Sequence, residues 1–301
     1  MAASCLRAFR LGAARAGSFL PRAQASSPTL VNQMRYNSSI SLNEKDNGVA
    51  ELVMHSEPSN SWSLDFLEEF CLAMEDLEND RDCRGVIITS NIPRIFSYGT
   101  DINELYQTKA DRLKVYRRRQ QEFWQRLYGS RLATVASING NSPGGGCLVA
   151  LACDYRIMAP GFKIGYNEVK GGLLAASWDI ATMVSVLGRQ VTERSVQVGQ
   201  MFTSEEALKV GMVDEIVPLG EASAAAMAAM EKWLRIPDKI RSKAKLTLRR
   251  EELQRMQDRR EEDLREFVAR VQKDYTQKSI QNLLEKRKQK GHDAPFIWGE
   301  E

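Results

Sequence analysis

Three consecutive glycines between two apolar segments set the strongest restriction on the fold of this chain. The stretch SINGNSPGGGCLVALACDYRI, residues 137–157, places Gly144–Gly146 between ATVASI and CLVALA. This layout predicts a buried strand, a tight turn and a buried helix. The first amides of a helix have no acceptor within it, so such a turn directs N–H donors at a negatively charged atom. The G-x-G-x-x-G spacing and the P-loop lysine are absent, which leaves the identity of that atom open.

Strand and helix patterns alternate over residues 48–218, and helical patterns alone follow. Short apolar runs such as GVAELVM and GVIIT predict strands, whereas SLDFLEEFCLAMEDLEN repeats apolar residues at helical spacing. The region 221–290 is charged and helical throughout, with a break at Pro237. We therefore expect an α/β core at 38–220, a helical C-terminal region and a flexible tail at 291–301.

The N-terminal segment has the composition of a mitochondrial transit peptide. It is rich in Ala and Ser, lacks Asp and Glu, and carries five arginines, Arg7, Arg10, Arg15, Arg22 and Arg35. A disordered tail is the alternative. Removing the segment changes the formal charge from +3 to −2, so the basic balance does not indicate a nucleic-acid partner. We predict a transit peptide at 1–37 and a location in the mitochondrial matrix.

Cysteine and histidine usage argues against a metal site and against a Ser–His–Asp triad. The cysteines beyond the N-terminal segment show no C-x-x-C spacing, and the two histidines are His55 and His292. We expect no metal ligands and interpret the cysteines as small buried apolar residues. No apolar run approaches the length that a bilayer-spanning helix needs.

Two glycine turns that follow apolar strands are candidates for a pair of backbone donors. The first is Tyr98–Asp101 and the second is Gly144–Gly146. Two converging N–H groups make an oxyanion hole, which suits a carbonyl oxygen that gains negative charge. The same glycines could instead only permit tight turns and close helix packing. The residues alone leave both interpretations open.

Glu168 is the candidate acid–base group. It follows the apolar stretch KIGYN and precedes a pair of glycines. Apolar neighbours such as Leu173 and Leu174 would tune the pKa of a carboxyl there and suit it to proton transfer. A solvated glutamate in a surface loop is the alternative.

Three separated motifs together resemble the crotonase superfamily of enoyl-CoA hydratases and isomerases. They are FSYGTDI, INGNSPGGGCLVALACDYRI and IGYNEVKGG, within a resemblance that runs over about residues 48–218. The resemblance implies a crotonase-like fold of repeated ββα units around a spiral sheet core, and a homotrimer. It implies an acyl-CoA thioester as the substrate, with no cofactor beyond the coenzyme A of that substrate.

The resemblance also implies the roles of individual residues. Glu168 would be the catalytic acid–base group, and the amides of Thr100 and Gly145 would be the oxyanion donors. The implied substrate-binding residues are Tyr98, Gly99, Thr100, Asp101, Ile102 and Gly145. The C-terminal helices would form the trimer contact or cover the acyl pocket.

One position separates two activities of the superfamily. Its hydratases carry a second glutamate after the cysteine of the glycine turn, where this chain has Leu148. A 1,3-proton shift needs one acid–base group, so the resemblance implies an isomerase that converts 3-enoyl-CoA to trans-2-enoyl-CoA in fatty acid β-oxidation. Two alternatives stay open. One is another acyl-CoA reaction, hydration or thioester hydrolysis, and the other is a catalytically silent binding or RNA-associated member.

Some residues depart from the pattern of the superfamily. Tyr98 stands where a small residue is usual and would narrow the acyl channel, and Thr100 replaces an apolar residue. Lys170 would perturb the base.

The segment LKVYRRRQQEFWQRLYGSR mixes basic and aromatic residues, as nucleic-acid-binding helices do. We favour a solvated helix whose Val115, Phe123, Trp124 and Leu127 face the core, and we expect no nucleic-acid partner.

Overall fold

The computed structural model describes residues 38–44 and 46–290, so the predicted transit peptide and the predicted tail lie outside the described residues. The strands are β1 (Ile40–Glu44), β2 (Val49–Met54), β3 (Ser61–Trp62), β4 (Gly85–Ser90), β5 (Arg94–Ile95), β6 (Gly99–Thr100), β7 (Ala133–Ile138), β8 (Gly140–Pro143), β9 (Tyr155–Met158), β10 (Lys163–Gly165), β11 (Phe202–Thr203) and β12 (Glu215–Ile216). The α-helices are α1 (Leu64–Asn79), α2 (Ala110–Tyr128), α3 (Gly145–Ala152), α4 (Ser177–Val198), α5 (Ser204–Lys209), α6 (Ala222–Leu234), α7 (Asp238–Asp258), α8 (Arg260–Val271) and α9 (Asp274–Lys290).

The main sheet has six strands in the order β1-β2-β4-β7-β9-β12. β1 and β2 pair in the antiparallel sense, and all later neighbours are parallel. Every residue of β7 is buried, as expected for a strand that is covered on both faces. The sheet grows in one direction because each helical crossover returns the chain to the next position along it.

A second sheet begins where β7 ends. The chain leaves β7 at Ile138 and enters β8 at Gly140, so it changes sheets at Asn139. The second sheet has the order β11-β10-β8-β5, and β3 pairs with β6 in a small third sheet. A main-sheet strand, an outer strand and a helix recur as β2-β3-α1, β7-β8-α3 and β9-β10-α4. This repeat confirms the predicted fold of ββα units.

Helix α2 turns a stripe of large side chains toward the core. Phe123, Trp124 and Leu127 are fully buried, as predicted. The prediction for Val115 was wrong, because that side chain is 46% exposed. Leu113 and Tyr116 occupy the core-facing positions of the same turn, and Val115 lies to one side of their stripe.

The arginines of α2 pair with neighbouring helices. Arg119 contacts Glu68 at 3.1 Å and Arg126 contacts Glu75 at 2.8 Å, both on α1. The charge on this face is therefore matched within the protein.

The region after the core is helical, as predicted, and the expected break at Pro237 lies between α6 and α7. Two further breaks, after Asp258 and after Val271, divide the described part of this region into four helices. α6 packs on the main sheet, where Met230 fills the space that Gly85 leaves. α7 is tied to the start of β4 by Arg84, whose Nε donates to Asp238 at 2.8 Å. Within the described residues, we find no helix that is both long and apolar enough to cross a bilayer.

Candidate active site

The two glycine turns meet in the structure. Gly99 has a φ of +71°, and a Cβ added there would lie 2.3 Å from the Gly145 nitrogen. A Cβ added to Gly145 would lie 2.8 Å from the Gly99 Cα, so only glycine allows this contact between the two backbones. Thr100 directly follows the contact. Gly145 opens α3, and its N–H has no acceptor inside that helix.

Gly144 leaves room for the Glu168 carboxyl. Its φ is +55°, and its N–H donates to the Gly165 carbonyl at 2.8 Å. A Cβ on Gly144 would lie 2.9 Å from Glu168 Oε1. The missing side chain therefore allows the carboxyl to sit against the chain segment that carries the Gly145 amide.

A cleft with about 820 Å³ of empty space joins these groups. Four of the predicted residues line it, namely Tyr98, Thr100, Gly145 and Glu168. Further lining comes from α2, α4, α8 and α9, so the C-terminal helices form part of its wall.

The remaining predicted binding residues lie beside the cleft rather than along it. Gly99 is buried against Gly145. Asp101 caps a short 3₁₀ turn, where its Oδ1 accepts from the Asn103 amide at 2.9 Å. Ile102 is buried in the hydrophobic core. A role for these three in binding substrate stays a prediction.

The side chain of Glu168 is half-buried, and its Oε2 is fully buried. Its Oε2 has no hydrogen-bond partner in the protein. Burial, reinforced by the nearby charge of Asp179, raises the pKa of Glu168 from 4.5 to about 8. The alternative of a solvated surface glutamate does not describe this site.

Asp179 brings a second carboxyl into the same cleft. It lies in the first turn of α4, and its Oδ2 accepts from the Ala176 amide at 2.9 Å. Burial raises the pKa of Asp179 to about 7, although the Ala176 amide and Arg117 oppose the shift. Sequence reasoning missed this residue, because an acidic side chain in the first helical turn is ordinary.

Leu148 lies in the core and not along the cleft. The position that carries a second glutamate in hydratases is thus apolar here. The second carboxyl of this cleft comes instead from α4, about thirty residues later in the chain.

Arg117 joins three helices beside the cleft. Its guanidinium donates to both oxygens of Asp263 at 2.9 Å, which links α2 to α8. It also lies between two rings, 4.2 Å from the centroid of Trp178 and 4.5 Å from that of Phe267. This paired, stacked cation stiffens the wall between α4 and α8.

The Thr100 side chain is held from α2. Gln120 Nε2 donates to Thr100 Oγ1 at 3.3 Å, and both residues line the cleft.

Lys170 is exposed, packs against Gly199 and does not line the cleft. The prediction that Lys170 perturbs the base was therefore wrong, because the charge that acts on Glu168 belongs to Asp179.

Metal-binding chemistry has no candidate in the described ranges, where no group of three His, Cys, Asp or Glu side chains could hold an ion. The four described cysteines, Cys71, Cys83, Cys147 and Cys153, are free thiols and buried. Burial raises the pKa of each thiol, which fits their interpretation as small apolar residues.

The two buried carboxyls should make stability depend on pH. In the unfolded chain they titrate near 4.5 and 3.8, well below their folded values of about 8 and 7. Between those limits the folded state binds protons that the unfolded state has lost, so their contribution to the free energy of unfolding falls as pH rises. We expect a Glu168→Gln, Asp179→Asn double variant to be more stable than wild type at pH 8, by roughly 2–4 kcal/mol. Urea unfolding at pH 5 and pH 8 measures this, and a difference independent of pH would contradict it.

Comparison with known proteins identifies the family of this chain. A family model described as enoyl-CoA hydratase/isomerase matches residues 44–293. The mitochondrial enoyl-CoA delta isomerase 1 of Mus musculus is 44% identical over 245 residues, which cover 81% of this chain and 85% of the relative. The Homo sapiens protein of the same name is 40% identical over 284 residues, 93% of this chain and 94% of the relative.

Solved structures agree with this placement. The crystal structure of human mitochondrial delta3-delta2-enoyl-CoA isomerase matches with a TM-score of 0.83 at 40% identity, covering 84% of this chain and 100% of that one. An enoyl-CoA hydratase from Bacillus halodurans matches with a TM-score of 0.75 at 21% identity, over 82% of this chain and 100% of that one, and supports the fold alone. With its ββα repeat and paired glycine turns, the chain belongs to the enoyl-CoA hydratase/isomerase family.

Proposed function

We propose that this chain is an isomerase that converts 3-enoyl-CoA to trans-2-enoyl-CoA in the mitochondrial β-oxidation of fatty acids. The observation that carries the proposal is a single cleft in which the Glu168 carboxyl adjoins the contact between the two glycine turns. The relatives named as delta isomerases support it.

Each group has a defined task in the proposed reaction. The amides of Thr100 and Gly145 donate to the thioester carbonyl oxygen of the substrate. Glu168 takes a proton from C2, and the electron pair of that C–H bond delocalises into a dienolate whose charge rests on the oxygen. The protonated Glu168 then gives the same proton to C4, and the new double bond lies between C2 and C3.

Burial makes Glu168 better suited to this task. A carboxylate with a pKa of about 8 is a stronger base than an exposed glutamate, whose ordinary value is 4.5. A base works best when its pKa lies close to the working pH, because it is then both strong and largely in the required protonation state. Substrate that fills the cleft would displace water from it, which strengthens the two amide donors.

The pH profile should report this base. We expect kcat/KM for 3-hexenoyl-CoA to rise about tenfold per pH unit below the pKa of Glu168 and to level off above it, near pH 8. The assay follows the conjugated 2-enoyl product from pH 5.5 to 9.5, with no hydratase added. A profile that stays flat down to pH 6 would show that no buried carboxyl of this kind limits the reaction.

Hydration is the second candidate, and Asp179 is the observation that favours it, because hydration needs two acid–base groups. Mass analysis of the product separates the two reactions, since hydration adds a water and isomerisation does not. If well-folded protein converts neither 3-hexenoyl-CoA nor a longer 3-enoyl-CoA, the isomerase proposal fails, and a catalytically silent role becomes the better account.

We also propose that the protein is a homotrimer with an interface on α7. Ile240, Ala244 and Leu248 follow one another at four-residue spacing, and all three are exposed, Leu248 by 82%. An apolar stripe of this kind favours burial by another copy of the chain.

We expect Leu248→Glu to lower the mass measured by light scattering from about three chains to one. Leu219→Glu is the matched control, since Leu219 is 55% exposed outside this stripe. A wild-type monomer would overturn the proposal.

Two further properties follow from the proposed function. The segment 1–37 would direct the protein to the mitochondrial matrix, and a fluorescent fusion of that segment that remains outside mitochondria would refute this. The proton shift uses coenzyme A only as part of the substrate, so activity should survive gel filtration in EDTA.

A further inference from the structure

Asp179 is a second carboxyl in the cleft, and the one-glutamate reaction gives it no role. Its Oδ2 is occupied by the Ala176 amide at 2.9 Å. Its Oδ1 is buried and has no hydrogen-bond partner in the protein, as is also the case for Oε2 of Glu168. Both residues line the same cleft. Two carboxyls, each with one buried and unpartnered oxygen, thus line the same cleft.

We propose that Asp179 is a positioning residue for the proton transfer, and that its charge acts on Glu168 across the cleft so that the two carboxyls together carry one negative charge. This inference rests on the proposed isomerase function for its kinetic consequences. The reacting proton still moves between substrate and Glu168, so the balance of the reaction is unchanged.

The surroundings explain why the two carboxyls act as a pair. Burial desolvates both carboxyls, so a second negative charge in the cleft is costly, and the ionisation of one opposes the ionisation of the other. The groups that face Asp179 are Arg117 on α2 and Asp263 on α8, which pair with each other. Their effects on Asp179 are opposite, because Arg117 lowers its pKa and Asp263 raises it. The charge that acts on Glu168 is that of Asp179.

Other titratable groups near the pair do not supply a compensating charge. The thiol of Cys147 on α3 and the phenol of Tyr166 after β10 are buried, and burial raises the pKa of both, so they are neutral at physiological pH. Arg270 on α8 lines the same cleft, and burial lowers its pKa. It is not among the charges that act on either carboxyl.

A purely structural role for Asp179 is the competing explanation. The Oδ2 contact with Ala176 forms a cap at the start of α4, and such a cap stabilises a helix whether or not the cleft is used. Asp179→Asn separates the two roles. The asparagine oxygen can still accept from the Ala176 amide, whereas the negative charge is lost.

The first readout is the pH profile of kcat/KM on 3-hexenoyl-CoA. Without the charge of Asp179, Glu168 ionises at lower pH, so the acid limb of the profile should move down. We expect the share of plateau activity at pH 6.5 to rise about threefold or more in Asp179→Asn. The plateau itself should fall several-fold, because the base becomes weaker. A profile that overlays wild type would overturn the proposal.

The matched control is Glu206→Gln. Glu206 makes the same capping contact in α5, where its Oε2 accepts from the Thr203 amide at 2.9 Å, and it does not line the cleft. It should leave the pH profile unchanged while it costs some helix stability. An equal shift of the pH profile in this control would show that loss of a helix-capping contact, rather than loss of charge, shifts the acid limb of the kcat/KM profile.

A second readout does not depend on activity. Carbon-13 NMR of carboxyl-labelled glutamate, assigned through Glu168→Gln, follows the titration of Glu168 directly. Its midpoint should be lower in Asp179→Asn than in wild type, and an unchanged midpoint would overturn the coupling even if the isomerase proposal stands. If wild type proves inactive, this titration still tests the pair. If Asp179→Asn does not fold, Asp179→Ser offers a shorter acceptor for the same cap.

Discussion

Glu168→Gln is expected to lose about 10³-fold in kcat on 3-hexenoyl-CoA while its KM changes little. Glutamine has the shape of glutamate but cannot take up the C2 proton. The Thr100 and Gly145 amides and the cleft walls are untouched, so the substrate should still bind. The variant also removes a buried carboxyl whose pKa is raised to about 8, so it should fold at least as well as wild type at that pH.

Glu193→Gln is the matched control for this substitution. Glu193 lies on the exposed face of α4 and pairs with Arg189 at 3.1 Å, far from any role in the cleft. It should keep wild-type kcat. Retention of more than a tenth of wild-type kcat by Glu168→Gln would contradict the assignment of the base, and Asp179 would then be the next residue to test.

Gly99→Ala is expected to damage both stability and catalysis. The added Cβ would lie 2.3 Å from the Gly145 nitrogen and 2.6 Å from its Cα, and both are backbone atoms that no rotamer change can move. The two glycine turns must therefore separate, which displaces the Thr100 and Gly145 amides relative to each other. Loss of one oxyanion donor costs on the order of 10²–10³ in kcat, and we expect a fall of that size.

Gly161→Ala is the control that separates backbone strain from the steric clash expected in Gly99→Ala. Gly161 has a φ of +80°, close to the +71° of Gly99, but a Cβ there would meet no atom within 4 Å. Its cost should be only the left-handed strain of alanine, roughly 1–2 kcal/mol in urea unfolding, with unchanged kcat. If Gly99→Ala behaves like Gly161→Ala in both measurements, the close approach of the two turns is not needed for activity.

Sequence reasoning found the parts of the site that have local signals. The turn at Gly144–Gly146 stands out because glycines between apolar runs are rare and physically demanding. Thr100 and Glu168 were assigned through the resemblance to crotonases, since the residues themselves also allowed an ordinary turn and a surface carboxylate. Only the tertiary structure shows that these three segments line one cleft.

The residues that sequence reasoning missed come from distant elements. Asp179 resembles any acidic residue in a first helical turn, and nothing near it in the chain reveals that Glu168 lies across a cleft. Arg117 and Asp263 are separated by 146 residues, yet they pair at 2.9 Å. Val115 was misjudged because a single stripe of apolar residues does not show which of two adjacent positions faces the core.

Local patterns were sufficient for β2, β4, β7, α1 and α3, because periodicity and glycine placement act over a few residues of chain. They were also sufficient to place the break at Pro237. The protonation of Glu168 and Asp179 could not be obtained this way. The pKa of Glu168 depends on burial and on the charge of Asp179, and that of Asp179 depends on burial, the Ala176 amide, Arg117 and Asp263. These surroundings arise only when α2, α4 and the C-terminal helices close around the cleft.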